Sequence, residues 1–171
     1  MWSRTVCSAV VAGLLGLLAD ACGGGGGGGT PCDPASPPNV AGTWVLSAPQ
    51  VDSDCPDDIT NAFLNALFTG SAHSAECAYR VTQSGPNVTI ANHCGGAAKF
   101  VGCADDDGCV DATWPFSSGP QGCKGTTVAE FTSDLSTSSS DAEVCASFTF
   151  PAACGISDCS IDVTASFTEG S

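Results

Sequence analysis

Strict alternation of apolar and polar side chains is found in the run Ile161-Asp162-Val163-Thr164-Ala165-Ser166-Phe167-Thr168. In a β-strand this period of two places the four apolar side chains on one face and the four polar ones on the other. Residues 144–150 repeat the pattern, and Pro151 ends that run. Both segments therefore predict antiparallel strands with one face on a core and the other in water.

Residues 77–83 and 87–92 are two alternating segments that follow each other along the chain and predict a β-hairpin. Ser84-Gly85-Pro86 lies between them and supplies the residues of a turn. Four weaker segments have similar alternation, namely residues 43–48, 97–101, 110–116 and 126–132. The chain is thus expected to be all-β, as an antiparallel barrel or sandwich of about eight strands stapled by disulfides.

One segment departs from the β pattern and predicts a short amphipathic helix. Asp54 provides a cap, Pro56 an early-turn proline, and Asp57 and Asp58 first-turn carboxylates. Apolar residues then recur at helical spacing until Gly70: Ile59, Phe63, Ala66 and Leu67. The flanks are acidic rather than basic, so the apolar face is expected to pack on the sheet and not on a membrane.

The first residues have the layout of a secretory signal peptide, which we place at residues 1–21. Arg4 is followed by the apolar stretch 6–19, and Ala19 and Ala21 are the small residues of a cleavage site before Cys22. An apolar stretch of this length is shorter than the roughly 20 residues that cross a bilayer as a helix. A permanent transmembrane anchor is therefore not expected.

Residues 17–22, Leu17-Leu18-Ala19-Asp20-Ala21-Cys22, are followed by seven glycines at 23–29. This arrangement resembles the lipobox and polyglycine segment of many bacterial lipoproteins. The resemblance implies that Cys22 becomes the diacylated first residue of the mature protein. It also implies a place in the cell envelope, anchored to the outer or plasma membrane; ordinary cleavage before Cys22 would instead give a secreted protein. Residues 22–39 are then a disordered tether, and residues 40–171 form a single β-rich domain.

Ten cysteines follow the tether's glycines: Cys32, Cys55, Cys77, Cys94, Cys103, Cys109, Cys123, Cys145, Cys154 and Cys159. Thiols at this density are typical of an oxidising compartment, and we expect all ten to be paired in disulfides. The short spacings Cys103 to Cys109 and Cys154 to Cys159 favour two local loops. Metal binding is the alternative, but the chain has no Cys-x-x-Cys motif of a zinc site, so no metal is expected.

The chain carries 4 basic residues against 18 carboxylates, a formal net charge of −14. Such a charge repels nucleic-acid phosphates, so nucleic-acid binding is excluded. It also opposes adhesion to anionic headgroups. Any contact with a membrane is therefore expected to come through the lipid anchor alone, and the acidity is explained by solubility outside the cell.

The tripeptide Gly42-Thr43-Trp44, at the start of the first predicted strand, resembles the Gly-x-Trp signature of lipocalin-like barrels. That resemblance implies an eight-stranded barrel whose bore holds one small apolar ligand. The ligand would be lined or closed off by Trp44, Tyr79, Val81, Phe148, Val163 and Phe167. The alternative is that Trp44 is a core aromatic of some other antiparallel sheet, such as a sandwich.

Two further groups of polar residues are candidate sites. Residues 105–108, Asp-Asp-Asp-Gly, with Asp111 beyond them, resemble a fragment of a calcium loop, but they lack the alternating ligands and distal Glu of an EF-hand. A solvated acidic turn is expected instead. His73 and His93 are the only histidines, and no Gly-x-Ser-x-Gly elbow selects a nucleophile.

We therefore expect neither an enzyme nor a cofactor. The expected function is that of a secreted, lipid-anchored binding module of the cell envelope, with a small apolar molecule as its candidate ligand. The alternative is a structural or adhesive surface protein with a filled core and no ligand. An unfilled apolar cavity distinguishes the first from the second.

Overall fold

The computed structural model describes residue 32 and residues 36–68, 76–120 and 122–170. Its strands form one closed barrel in the order β1 to β8. The elements are β1 (Gly42–Ser53), α1 (Asp57–Leu67), β2 (Cys77–Ser84), β3 (Asn87–Asn92), β4 (Lys99–Ala104), β5 (Cys109–Ser118), β6 (Gly125–Asp134), β7 (Ser139–Phe148), a single 3-10 turn (Ala152–Cys154) and β8 (Cys159–Glu169).

Each strand pairs antiparallel with the next, and β8 closes the barrel by pairing with β1. The all-β prediction with one helix is confirmed, and the fold is the barrel rather than the sandwich. Alternating residues face inward: along β8, Ile161, Val163, Ala165 and Phe167 are buried while their polar neighbours are more exposed. The strand is amphipathic because it separates a packed interior from water.

Strand β1 is longer than the predicted 43–48 and continues to Ser53. Its register with β8 shifts between Ser47 and Gln50, where Ala48 has a φ of 50°. Such a bulge adds a residue and bends the strand. The bend carries the chain from the barrel wall toward α1.

Helix α1 lies across one end of the barrel, which we call the helix end. Three of its residues, Ile59, Phe63 and Leu67, are fully buried against the barrel. Its start is tied to β8 by the Asp54 N–H, which donates to the Ser160 carbonyl at 3.2 Å. Near its last turn the Ala66 carbonyl accepts from the Ala98 N–H at 3.1 Å. The apolar face of the helix packs on the sheet as predicted, and the helix closes the barrel at this end.

The opposite end is crossed by a segment that we call the strap, namely Cys32 and residues 36–41. Cys32 is disulfide-bonded to Cys103 of β4. The Ser36 N–H donates to Asp106 Oδ1 at 2.9 Å, and Gln83 Nε2 donates to the Pro38 carbonyl at 3.1 Å. The described part of the predicted 22–39 tether is thus fixed to the barrel, so the domain begins earlier than residue 40. The predicted signal peptide and Cys22 lie outside the described residues.

Four disulfides have both cysteines within the described part of the chain: Cys32–Cys103, Cys55–Cys159, Cys77–Cys94 and Cys123–Cys154. The last three lie at the helix end. Cys109 is also in a disulfide, and Cys145 Sγ lies 3.1 Å from Asp162 Oδ1.

The two local loops predicted from spacing are wrong. The β4–β5 register places Cys103 opposite Asp111 and not opposite Cys109. Cys159 begins β8 beside the start of α1, where Cys55 lies, and Cys154 in the 3-10 turn reaches Cys123 instead. Strand register therefore overrides closeness in sequence.

Among the described helices, none has the length and apolar character that a bilayer span needs.

Candidate functional site in the barrel interior

The six residues predicted to line a bore do share one interior, where each is at most 3% exposed. They do not leave a bore open, because the rings of Trp44 and Tyr79 both contact the ring of Phe167. Phe167 stacks on Trp44 with ring centroids 5.3 Å apart, and the ring of Tyr79 meets its edge at 6.1 Å. Phe131 of β6 contacts the same ring at 5.6 Å. Phe167 is thus the centre of an aromatic cluster.

The contacts continue from this cluster to the helix end. Phe131 packs on Phe100 at 5.5 Å, Phe100 on Trp114 at 5.7 Å, and Trp114 on Phe63 of α1 at 6.1 Å. Pairs of this geometry contribute about 0.5–1.5 kcal/mol beyond the area that they bury. A continuous column of rings therefore runs through the barrel from Trp44 to α1.

The space left in the middle of the column is small. No gap there has room for a water molecule. The side chains around it are Leu46, Leu67, Tyr79, Phe100, Phe131, Val144 and Phe167. Sites for small molecules are usually about 300–1,000 Å³. In this conformation the centre of the barrel is a packed core.

Both ends of the column are fixed by hydrogen bonds to backbone. Trp44 Nε1 donates to the carbonyl of Val40, a residue of the strap, at 3.1 Å. The Tyr79 hydroxyl donates to the Leu67 carbonyl at 2.7 Å, and Asn92 Nδ2 donates to the same oxygen at 2.6 Å. Burial raises the pKa of Tyr79 well above its usual range, so its phenol stays protonated and keeps donating.

A second aromatic group, which we call the helix-end cluster, lies between α1 and the ends of the strands. It comprises Phe63, Trp114, Phe116, Phe148 and Phe150. Phe63 meets Phe116 at 5.5 Å and Phe148 at 6.1 Å, and Trp114 packs on Phe116 at 4.8 Å. Phe116 is partly exposed, so this cluster reaches the surface. Phe148, predicted to line a bore, packs here rather than beside Trp44.

The side chain of Thr127 enters the barrel close to this cluster. Thr127 is the cross-strand partner of Phe116 and is only 7% exposed. Its Oγ1 is buried and has no hydrogen-bond partner among the described residues. Leaving a buried hydroxyl unpaired costs about 1–3 kcal/mol, so this oxygen is a feature that the packing alone does not explain.

The acidic turn at residues 105–108 is held by its own hydrogen bonds. Asp105 Oδ1 accepts from the N–H groups of Asp107 and Cys109, at 3.0 and 2.9 Å. Neighbouring Asp111 is half-buried, and its pKa is raised mainly by that burial and further by the charges of Asp105 and Glu130, which a hydrogen bond from Thr132 partly offsets. The carboxylate of Asp105 thus organises a turn.

Among the described residues, the remaining candidate groups do not form a catalytic set. His93 is exposed, and His73 lies outside the described residues. Asp54, Cys55 and Cys159 place ligand atoms within 4.8 Å of one another, yet both sulfurs are joined in a disulfide and offer no thiolate to a metal.

Comparisons of the chain with protein-family models, with curated proteins and with solved structures find no match.

Four residues of the column escaped the sequence prediction of the lining, namely Phe63, Phe100, Trp114 and Phe131. Phe100, Trp114 and Phe131 belong to strands whose alternation is weaker in the sequence, and Phe63 belongs to the helix. The signal in the sequence was an aromatic side chain at an inward position of a predicted element. Such a signal indicates that the residue belongs to the core, but it does not show which rings contact one another.

Proposed function

We propose that this protein is a secreted, lipid-anchored module of the cell envelope that acts through the outside of a filled barrel, in a structural or adhesive role. Of the two functions that the sequence leaves open, this is the one without a ligand in the bore. The proposal is supported best by the column of rings from Trp44 to Phe63, because it occupies the volume that a lipocalin-like ligand needs.

The outer wall supports a role in contact with other molecules. Asp52 of β1 lies directly opposite Asp162 of β8. The same row of cross-strand partners continues through Cys145 of β7 to Glu130 of β6. Like charges in such register destabilise a sheet. The cations Arg80 and Lys99 lie outside this row, on β2 and β4, and Lys124 precedes β6. A cationic surface is the partner that such a wall would attract.

The strap supports attachment at one end. Cys32 is bonded to the barrel wall, so a lipid on Cys22 would be separated from the domain by ten residues (32 − 22), which span about 17 Å as a glycine-rich coil. The strap end would then face the membrane. The helix end, with its three disulfides, would face outward.

One experiment tests both parts of the proposal: native and denaturing mass spectrometry of mature protein extracted from its own membranes. We expect a polypeptide that begins at Cys22, carries a diacylglyceryl group, and has no small molecule bound. The Cys22→Ser variant should leave the detergent fraction, whereas Cys145→Ser, as a control, should remain in it.

Release of a stoichiometric apolar molecule on denaturation would contradict this proposal and favour the alternative, a ligand-binding function. Cys22 recovered in a disulfide-linked peptide would refute the lipid anchor.

A further inference from the structure

The β5–β6 hairpin is joined to its neighbours along only part of its length. The β4–β5 ladder ends at the pair Val101–Thr113, and the continuous β6–β7 ladder ends at the pair Glu130–Cys145. Thr113 and Glu130 are themselves cross-strand partners. Both flanking ladders therefore stop at one level, which forms a line across the hairpin.

Beyond that line the hairpin forms a unit that we call the flap, residues 114–118 of β5 and 125–129 of β6. Its two strands stay paired with each other up to Ser118 and Gly125. In the described part of the chain, two links hold it to the rest of the wall. One is the bridge between Thr126 and Thr149, with hydrogen bonds of 3.1 and 3.0 Å. The other is the disulfide Cys123–Cys154.

A proline explains why the ladder toward β4 stops here. Continuing the β4–β5 register by two residues places Lys99 opposite Pro115. Pro115 has no N–H to donate across that gap, and proline in a sheet is confined to such edges. Because of this proline, the flap is not hydrogen-bonded to β4 in the ladder.

The underside of the flap closes on the helix-end cluster. Trp114 and Phe116 project from it onto Phe63 of α1. Gly125 faces Phe150 so closely that a Cβ on Gly125 would lie 2.5 Å from two ring carbons of Phe150. The flap therefore fits against aromatic side chains with no spare space.

The same underside carries the unpartnered hydroxyl of Thr127, which is 93% buried as the complement of its 7% exposure. Opening of the flap would give this oxygen access to a donor. A buried polar atom without a partner among the described residues needs an explanation, and a second, open state of the flap would supply one.

We propose that the flap is a lid, hinged at the Thr113–Glu130 pair and latched by Cys123–Cys154, and that its opening exposes a binding site for a small neutral molecule. The ligand has a planar apolar body, which the rings of the helix-end cluster contact, and one N–H or O–H group, which donates to Thr127 Oγ1. The chain's charge of −14 disfavours an anion, and burial against aromatic rings disfavours any charged group that lacks a partner. The site lies at the side of the helix end and not in the filled bore.

Amide hydrogen exchange of the wild-type protein tests the hinge. Opening breaks the Thr126–Thr149 bonds but leaves the ladder below the hinge intact. We expect the Thr126 and Thr149 amides to exchange at least about tenfold faster than those of Thr132 and Glu143, a pair in the continuous part of the same two strands. Equal protection of the two pairs would overturn the lid.

Binding of N-phenyl-1-naphthylamine tests the site, because this fluorescent probe is neutral, aromatic and has a single N–H. Cys123→Ser with Cys154→Ser removes the latch, and we expect at least about tenfold tighter, saturable probe binding than in the wild type. Cys32→Ser with Cys103→Ser removes a disulfide at the other end and should leave probe affinity unchanged. Equal affinity in the two double variants, or no saturable binding, would overturn the site.

Two single substitutions keep the proposal testable should the latch variant fail to fold. Gly125→Ala places a methyl group against Phe150 and should wedge the flap open, raising probe affinity. Thr127→Val keeps the shape but removes the oxygen, and it should lower probe affinity about fivefold in the Gly125→Ala background. Probe binding that is indifferent to Thr127→Val would refute the assigned role of this hydroxyl.

Discussion

The hydroxyl of Tyr79 donates a 2.7 Å hydrogen bond to the backbone carbonyl of Leu67, which joins β2 to the last turn of α1. A carbonyl in the last turn of a helix has no partner within the helix, and here it is inside the barrel. Asn92 Nδ2 supplies a second donor to the same oxygen. The helix that closes the barrel is therefore held by hydrogen bonds as well as by its apolar face.

Tyr79→Phe removes one of the two donors and should lower the free energy of unfolding by about 1 kcal/mol at neutral pH. The measurement is denaturant unfolding followed by tryptophan fluorescence. Leu67 retains its bond from Asn92, so the variant should fold. A loss above about 3 kcal/mol would mean that the carbonyl is left unsatisfied.

The same residue predicts a pH dependence. Burial raises the pKa of Tyr79 in the folded state, so the folded protein binds the phenolic proton more tightly than the unfolded chain does. This contribution to stability is fully present below about pH 10, the ordinary tyrosine pKa, and stability falls as the pH rises above it. Tyr79 is the single tyrosine. Tyrosinate absorbance should therefore appear only with unfolding, and its appearance in the folded protein would contradict the burial.

Phe167→Ala should be the most damaging single substitution in the barrel, because Phe167 contacts Trp44, Tyr79 and Phe131 at once. Loss of a buried ring at such a centre costs about 3–5 kcal/mol. Val128→Ala is the control, since Val128 is 57% exposed and should change stability by less than about 0.5 kcal/mol. Thermal unfolding of the two variants beside the wild type gives the comparison. Similar losses would contradict the filled column.

Much of the wall could be predicted from sequence, because a period of two specifies both the strand and its inward face. Val163 and Phe167 alternate with polar residues, and the structure buries both. The hairpin of β2 and β3 could be predicted as well, since Ser84-Gly85-Pro86 supplies a short turn between two alternating segments.

Barrel closure could not be predicted in the same way. It depends on the pairing of Val45 with Thr168, two residues from opposite ends of the chain, and no local pattern encodes that register. The packing of the interior depends on that closure, because the strand order around the whole barrel decides whether Phe131 contacts Phe167 or leaves a cavity. Sequence alternation therefore identified the lining residues but not the fact that they fill the space between them.

Gly102→Ala should destabilise the barrel wall at β4 and β5. A Cβ on Gly102 would overlap the Asp111 carbonyl and the Cα of Ala112, and these are backbone atoms of the paired strand that cannot rotate away. Overpacking of this kind costs about 1–3 kcal/mol. Gly42→Ala is a matched strand control, because the nearest atom to its Cβ is 3.6 Å away. Equal melting temperatures for the two variants would contradict this close approach.

Two disulfides that flank α1 provide the last comparison. Cys55–Cys159 closes a loop with a sequence separation of 104, whereas Cys77–Cys94 closes one of 17. Loop-closure entropy gives about 4.7 kcal/mol for a loop near 100 residues and about 3 kcal/mol for one near 15. Replacing both cysteines by serine in each pair should therefore cost about 1–2 kcal/mol more at Cys55–Cys159. Peptide mapping without reduction identifies the pairs first, and recovery of Cys154 joined to Cys159 would refute this connectivity and the comparison with it.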